Sequence, residues 1–206
     1  MIQFKPYPSI GNAADAEWMA LVRECVGPET PFAVQEKVNG EHVTFLSDDL
    51  DVRMALRTAL LGSKEMPFGF QAVLDRYSGR IYHIYNLLRP AWPDMDSIAV
   101  HGELVGDEFC AFDLYVFTED GGCFLPVMEA NVLFSTAGLL YARNLFVGPL
   151  DECLAYPHVF PSRIPVELGL PPDEDDLCGG IVLKPLEPVV LPDGRRVAVQ
   201  VKATAT

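Results

Sequence analysis

The sequence is poor in positive charge: 15 Lys and Arg stand against 29 Asp and Glu in 206 residues, a formal net charge of −14 at pH 7. With a pI of about 4.5, the chain resists nonspecific attraction to a polyanion and is not built as a general nucleic-acid or membrane-surface binder. No apolar run is long enough to span a bilayer, and the N-terminal MIQFKPYPSIGN lacks the basic region and apolar core of a secretory signal. Cysteine is odd in number and scattered. Cys25, Cys110, Cys123, Cys153 and Cys178 include no CxxC pair, so neither a disulfide framework nor a zinc site is indicated, and a cytoplasmic location is expected. Internal repeats and low-complexity segments are also missing. What remains is a half-hydrophobic chain with enough length for a sizeable core, expected as one domain over residues 1–206, with two small domains as the alternative.

The pattern of apolar residues predicts alternating element types. Asn12 reads as the N-cap of a helix in AADAEWMALVRECVG, where Trp18, Leu21, Val22 and Cys25 recur at helical spacing before Gly27-Pro28. FAVQEKV and EHVTFLS read as strands joined by Asn39-Gly40, a strong hairpin signal that would put Lys37 at the end of a hairpin strand. A second helix is expected in QAVLDRYSGRIYHIYNLLR, ended by Pro90, then strands at SIAVHGELVG and FCAFDLYVF. VMEANVLFSTAGLLYA has a 3.6-residue period, PPDEDD reads as a surface loop, and GGIVLKP and RRVAVQVK form a last hairpin around LPDG. The sum is an α+β fold with mostly antiparallel sheets flanked by helices.

Chemistry starts at Lys37 in EKVNGEH. A lysine attacks only as the free amine, which desolvation or neighbouring cations favour. The preceding apolar strand would supply the first, and Arg57, Lys184 and Lys202 are candidates for the second if the fold gathers them. Taken alone, KxxG is weak, because most lysines are solvated surface charges.

Several stretches together are more specific. EKVNG resembles the adenylation motif of covalent nucleotidyltransferases, and FKPYPSIGN, LRTALLGSKEMPFGF, HGELVG, FCAFDLYVF, GLLYARNLFVGPL and GGIVLKPLEPVVLPDGRRVAVQVK look, in that order, like successive blocks of the RNA ligase 2 family. That family includes phage nick-sealing and trypanosome RNA-editing ligases. The resemblance implies the ATP-grasp-like ligase fold of a nucleotidyltransferase, with ATP and Mg2+ (or Mn2+) as cofactors and RNA ends as the acceptor. It also implies that Lys37 takes AMP from ATP as a phosphoramidate and passes it to an RNA 5′-phosphate. Arg57 would lie near the AMP ribose and incoming phosphate, where a guanidinium fork suits the oxygens; the bland alternative is a surface salt bridge. Glu103 would accept from the ribose hydroxyls, or else be a strand-edge charge. Phe109 and Phe112 fall on opposite faces of a strand, so one can stack on adenine and the other joins the core; the resemblance selects Phe109. Glu36 would help read the adenine through its side chain or its backbone, or be a solvated acid. Lys184 and Lys202 would contact the α-phosphate.

Two positions depart from the family pattern. Gly179 stands where a glutamate is implied, leaving the metal ligands unknown, with Asp175 or Asp176 just upstream as candidates to supply a carboxylate by a shift of backbone; Gln200 replaces the first lysine of the closing motif. His42 also differs, where close relatives often have asparagine. Losing an acid and a base that handle phosphate should slow at least one step. The alternatives are therefore a catalytically impaired nucleotide-binding or partner-binding module, with a protein partner supplying contacts, and an adenylyltransferase acting on a non-RNA acceptor. Because the chain stops four residues after Lys202, no C-terminal OB-fold or helical accessory domain is expected.

Overall fold

A computed structural model describes residues 2–62, 69–171 and 173–203. The elements run β1 (Gly11–Asn12), α1 (Ala16–Cys25), β2 (Pro31–Glu36), β3 (Glu41–Ser47), β4 (Val52–Leu56), α2 (Phe70–Leu88), β5 (Met95–Val105) and β6 (Glu108–Thr118). They continue with β7 (Cys123–Phe124), α3 (Val127–Thr136), β8 (Leu140–Tyr141), β9 (Asn144–Pro149), α4 (Leu150–Leu154), α5 (Ile164–Glu167), β10 (Gly180–Pro185) and β11 (Val199–Lys202). The chain divides into two compact units, one of residues 1–7 and 40–141, the other of residues 8–39 and 142–206. Each unit has its own sheet.

In the first unit, β4-β3-β5-β6-β7 form a mainly antiparallel sheet, with β8 added to β6 in parallel. Its core face is apolar: Val43, Phe45, Met54, Ile98, Val100, Phe109, Leu114 and Val116 pack with Tyr77, Ile81 and Ile84 of α2 and Phe134 of α3. α2 occupies the stretch expected from its periodicity, its buried residues recurring as Val73, Tyr77, Ile81, Ile84, Tyr85 and Leu88. α3 is shorter than its periodicity suggested. It stops at Thr136 because Gly138 N–H donates to the Ser135 carbonyl and Leu139 N–H to that of Phe134, a Schellman closure with Phe134 and Leu139 both buried.

In the second unit the strand order is β1-β11-β10-β2-β9. Phe32 and Val34 of β2, Ile181 and Leu183 of β10 and Val199 of β11 face a core completed by Trp18, Met19 and Val22 of α1. The helix begins later than the sequence suggested. Asp15, not Asn12, is the N-cap, its carboxylate accepting from the N–H groups of Glu17 and Trp18 at 3.0 and 3.1 Å, while the Asn12 side chain closes a preceding turn on Ala14 N–H. With this start Met19 is buried and Leu21 is exposed. The expected last hairpin is present as antiparallel β10 and β11, with Gly194 N–H donating to the Leu191 carbonyl at its tip.

Candidate functional site

The second unit gathers the lysines through strand register. Lys184 pairs with Ala33, Val182 with both Gln35 and Gln200, and Gly180 with Lys202. Paired residues share a face, so one face carries the apolar core and the other carries Gln35, Lys184, Gln200 and Lys202. The alternation of β2 adds Lys37 to that second face. Lys184 is only 1% exposed, Lys37 is half-buried and Lys202 is exposed. Three of the four lysine and arginine side chains expected to handle phosphate therefore stand on one sheet face. Gln200, the neutral replacement, lies among them and donates to the Ile10 carbonyl at 3.2 Å.

Lys37 does not end a hairpin strand. β2 pairs with β10 and β9, β3 with β4 and β5, and the two belong to different sheets. The hairpin expectation fails because a type I′ turn needs positive φ at both central residues, and neither Asn39 nor Gly40 has it. Gly40 serves close approach instead: a Cβ there would lie 2.4 Å from the Leu104 carbonyl oxygen and 3.0 Å from Glu103 Cβ. Beyond β2, Lys37 N–H donates to the Gly180 carbonyl (2.9 Å) and Gly179 N–H to the Lys37 carbonyl (3.0 Å), so the backbone of Lys37 is held on both sides by the Gly179-Gly180 pair. Glu36 points to the opposite face. Its carboxylate accepts from Ser162 Oγ at 2.7 Å and Arg163 N–H at 3.0 Å, and it is 5% exposed. This corrects both sequence readings of its side chain: the acid ties the end of β2 to the turn before α5, neither free for adenine nor solvated.

In the first unit, Glu103 lies on β5, a strand flanked by β3 and β6, so it is not an edge charge. It pairs across the sheet with His42, whose Nδ1 is 3.6 Å from Glu103 Oε1. On the same face Thr44 Oγ1 contacts His101 Nδ1 at 2.8 Å and His42 Nε2 at 3.4 Å. Tyr7 donates to Asp113 Oδ2 at 2.5 Å, its ring 5.2 Å from His42 and 4.8 Å from His101. Asp113, His101, Thr44 and Tyr7 were not singled out from the sequence; the signal was an acid and a histidine inside otherwise apolar strand runs, which must find partners when buried. Arg57 is exposed in the turn closed by Leu56 N–H on the Ala59 carbonyl. Ser63 to Phe68 of the surrounding block lie outside the described residues.

Phe109 and Phe112 do face opposite ways, but their tasks are the reverse of the expectation. Phe109 is fully buried, edge-on to Phe45 at 4.8 Å and to Tyr77 at 5.8 Å. Its ring fills the notch left by Gly102, where a Cβ would come within 2.4 Å of Phe109 Cε2. Tyr77 also fixes its backbone, accepting from Phe109 N–H at 3.0 Å and donating to Glu108 Oε2 at 2.9 Å. Burial, with Glu108 adding to it, pushes the Tyr77 phenol above its ordinary range. Phe112 is the extra residue of a bulge, since His101 pairs with Asp113 and Gly102 with Ala111. Its half-buried ring is 5.3 Å from Tyr7 and 5.8 Å from His42. The correction is that Phe109 is a core residue and Phe112 is the aromatic on the Glu103 face.

Among the described residues, no group of three or more His, Cys, Asp or Glu could hold a metal ion. Asp175 and Asp176 are exposed in the loop before β10, and Gly179 brings no ligand. The described residues alone do not assemble a protein-held cation site. No helix of the described residues is long and apolar enough to cross a membrane.

The α+β fold of mainly antiparallel sheets is that of RNA ligase nucleotidyltransferase domains, as comparison with known proteins shows. A family model for RNA ligase matches residues 30–202, and the chain belongs to that family. It is 25% identical over 235 residues to the mitochondrial RNA-editing ligase 1 of Trypanosoma brucei brucei, covering 88% of this chain and 50% of that protein. The chain thus spans about half the length of the curated relatives it matches. A mutant of Naegleria gruberi RNA ligase with ATP and Mn superposes with a TM-score of 0.65 at 16% identity, over 98% of this chain and 58% of the other. An archaeal ATP-dependent RNA ligase gives 0.57 at 19%, over 98% and 49%. These likenesses show the fold.

Proposed function

We propose that the chain is an adenylyltransferase of the RNA ligase type, residues 1–206 acting as one catalytic domain built of two units, in the cytoplasm. What supports this reading is the register by which Lys184 and Lys202 share one face of the second unit's sheet, with Lys37 bonded through its N–H to Gly180 just past β2, in a chain of the RNA ligase family. ATP is the AMP donor. The neutral Lys37 amine attacks the α-phosphorus, the bond to the bridging oxygen of the β-phosphate breaks, pyrophosphate leaves, and the amine gives up a proton as the phosphoramidate forms. Lys184 and Lys202 stabilise charge gathering on the α-phosphate. Within the first unit, Glu103 is the candidate for ribose hydroxyls, Arg57 for a phosphate, and Phe112, in place of Phe109, for a stacked base. The AMP then passes to an RNA 5′-phosphate. Mg2+ or Mn2+ would shield phosphate charge when present, entering with the nucleotide.

Labelled ATP with Mg2+ or Mn2+, followed by denaturing electrophoresis, should leave label on the wild type and none on Lys37→Ala. Equal labelling of the two would remove Lys37 from the mechanism. The second reading, a nucleotide-binding module that has lost turnover, is favoured by Gly179 and Gln200. It predicts ATP binding without an adduct under every metal, whereas sealing of nicked RNA would exclude it. Adduct formation without transfer to RNA would direct the search to another acceptor, and the charge of −14 makes a helper protein a reasonable source of RNA contacts.

A further inference from the structure

The place vacated by the missing acid is not open space. A Cβ on Gly179 would lie 2.3 Å from Asn39 Oδ1, 3.1 Å from its Cγ and 3.0 Å from the Lys37 carbonyl oxygen. The φ of Gly179 is not in the left-handed region, so what opposes a side chain there is room and not backbone conformation: the exposed Asn39 amide would have to move aside. The Asn39 amide also donates to the Leu177 carbonyl at 3.4 Å, and the Lys37 and Gly179 backbones are directly bonded. Asn39 therefore lies across residues 177–179, two positions beyond the nucleophile, with its oxygen where any side chain at 179 would begin.

We infer that Asn39 is a positioning residue that occupies the place of the missing carboxylate: its neutral amide holds the Lys37 segment against residues 177–179, and the cation is left to arrive on the nucleotide. Asn39 and Gly179 share one space, so a glutamate restored at 179 competes with the Asn39 amide. This inference rests on the adenylation reading of Lys37. A glutamate stem at 179 must push the Asn39 amide aside and crowd the Lys37 carbonyl, whereas removing the Asn39 amide first makes room for that stem. A carboxylate placed there would supply the oxygen ligand for a hard divalent cation that the described residues otherwise fail to assemble.

The test is a cycle of four full-length proteins: wild type, Asn39→Ala, Gly179→Glu and the double variant. Thermal midpoints are measured without nucleotide, and lysyl-AMP is measured by intact mass against Mg2+ concentration. Gly179→Glu alone should lower the midpoint and cut the adduct rate by about 10-fold, less than the roughly 10²-fold of a full 1 Å misplacement. Adding Asn39→Ala should recover most of the midpoint and lower the half-saturating Mg2+ by about 10-fold relative to wild type, the low end for one partner of a metal site. Strictly additive midpoints, or a half-saturating Mg2+ unchanged in the double variant, would overturn the Asn39 role while leaving lysyl-AMP formation intact. Absence of any adduct on the wild type would instead overturn the adenylation reading, and the positioning role with it.

Discussion

The reversal of Phe109 and Phe112 gives the sharpest quantitative test. Phe109 is fully buried against Phe45 and Tyr77 in the first unit's core, so Phe109→Ala should cost about 3–5 kcal/mol, the usual toll for emptying a core phenylalanine site. For a chain of this size each kcal/mol lowers the thermal midpoint by about 2–4 °C, which gives a fall of roughly 6–20 °C. Where the variant remains folded, its nucleotide affinity should be close to wild type. Phe112 is half-buried beside Tyr7 and His42, so truncation there removes less packing. If its ring stacks on adenine, Phe112→Ala should weaken nucleotide binding by about 1–3 kcal/mol, the range for base–aromatic stacking, or about 5- to 150-fold in Kd. Phe109→Leu, which retains most of the volume, guards against loss of fold. Calorimetric titration with ATP and thermal scans of all three variants decide the matter. A Phe109→Leu protein with a wild-type midpoint and abolished ATP binding, beside a Phe112→Ala protein that binds normally, would refute the assignment.

Two further variants test how the fold supports the site. Tyr77→Phe leaves the buried Phe109 N–H without its acceptor and should cost about 1–3 kcal/mol at neutral pH. Because burial raises the Tyr77 pKa in the folded state, its contribution is complete below the ordinary phenol value of about 10 and is lost as pH rises through the raised value; urea unfolding at pH 8 and 10.5 should show a shallower alkaline decline in the variant, and an identical decline would contradict this. Asp15→Ala removes the acceptor for Glu17 and Trp18 N–H and should cost about 0.5–2 kcal/mol; a denaturation midpoint unmoved in both heat and urea would mean that Asp15 does not start α1.

Much of the fold could be read from periodicity. α2, the β5 and β6 strands and the β10–β11 pairing follow from apolar spacing, because each buries a single face and the pattern repeats along it. The misreadings have local causes. Asn12 and Asp15 are both good caps, and the choice depends on which turn brings Trp18 and Val22 to the core rather than on either residue. Asn39-Gly40 carries the composition of a hairpin turn, yet the strands on either side find better partners far along the chain, and local turn preference is too weak to override two whole ladders. The lysine face was legible only in part: motif order named Lys37, Lys184 and Lys202, but the register that aligns them depends on pairings about 150 residues apart.

The aromatic reversal and the Asn39–Gly179 pair share one physical cause. In each, a motif names a residue by position while the side chain's task is decided by the space across the ladder. Gly102 opens a notch filled by the ring of Phe109 beside the Cys110 carbonyl, and the bulge at Phe112 then flips the alternation so that Ala111 and Leu114 share the core face. Gly179 opens a second notch, filled by Asn39. A glycine in or beside a strand is therefore informative about its neighbour, because the missing side chain leaves a volume that another residue can occupy at native packing density. For Phe109 that occupant is a core ring. For Asn39 it is an amide beside the nucleophile, so the missing acid at 179 has to be assessed as a pair of residues and not as a single loss.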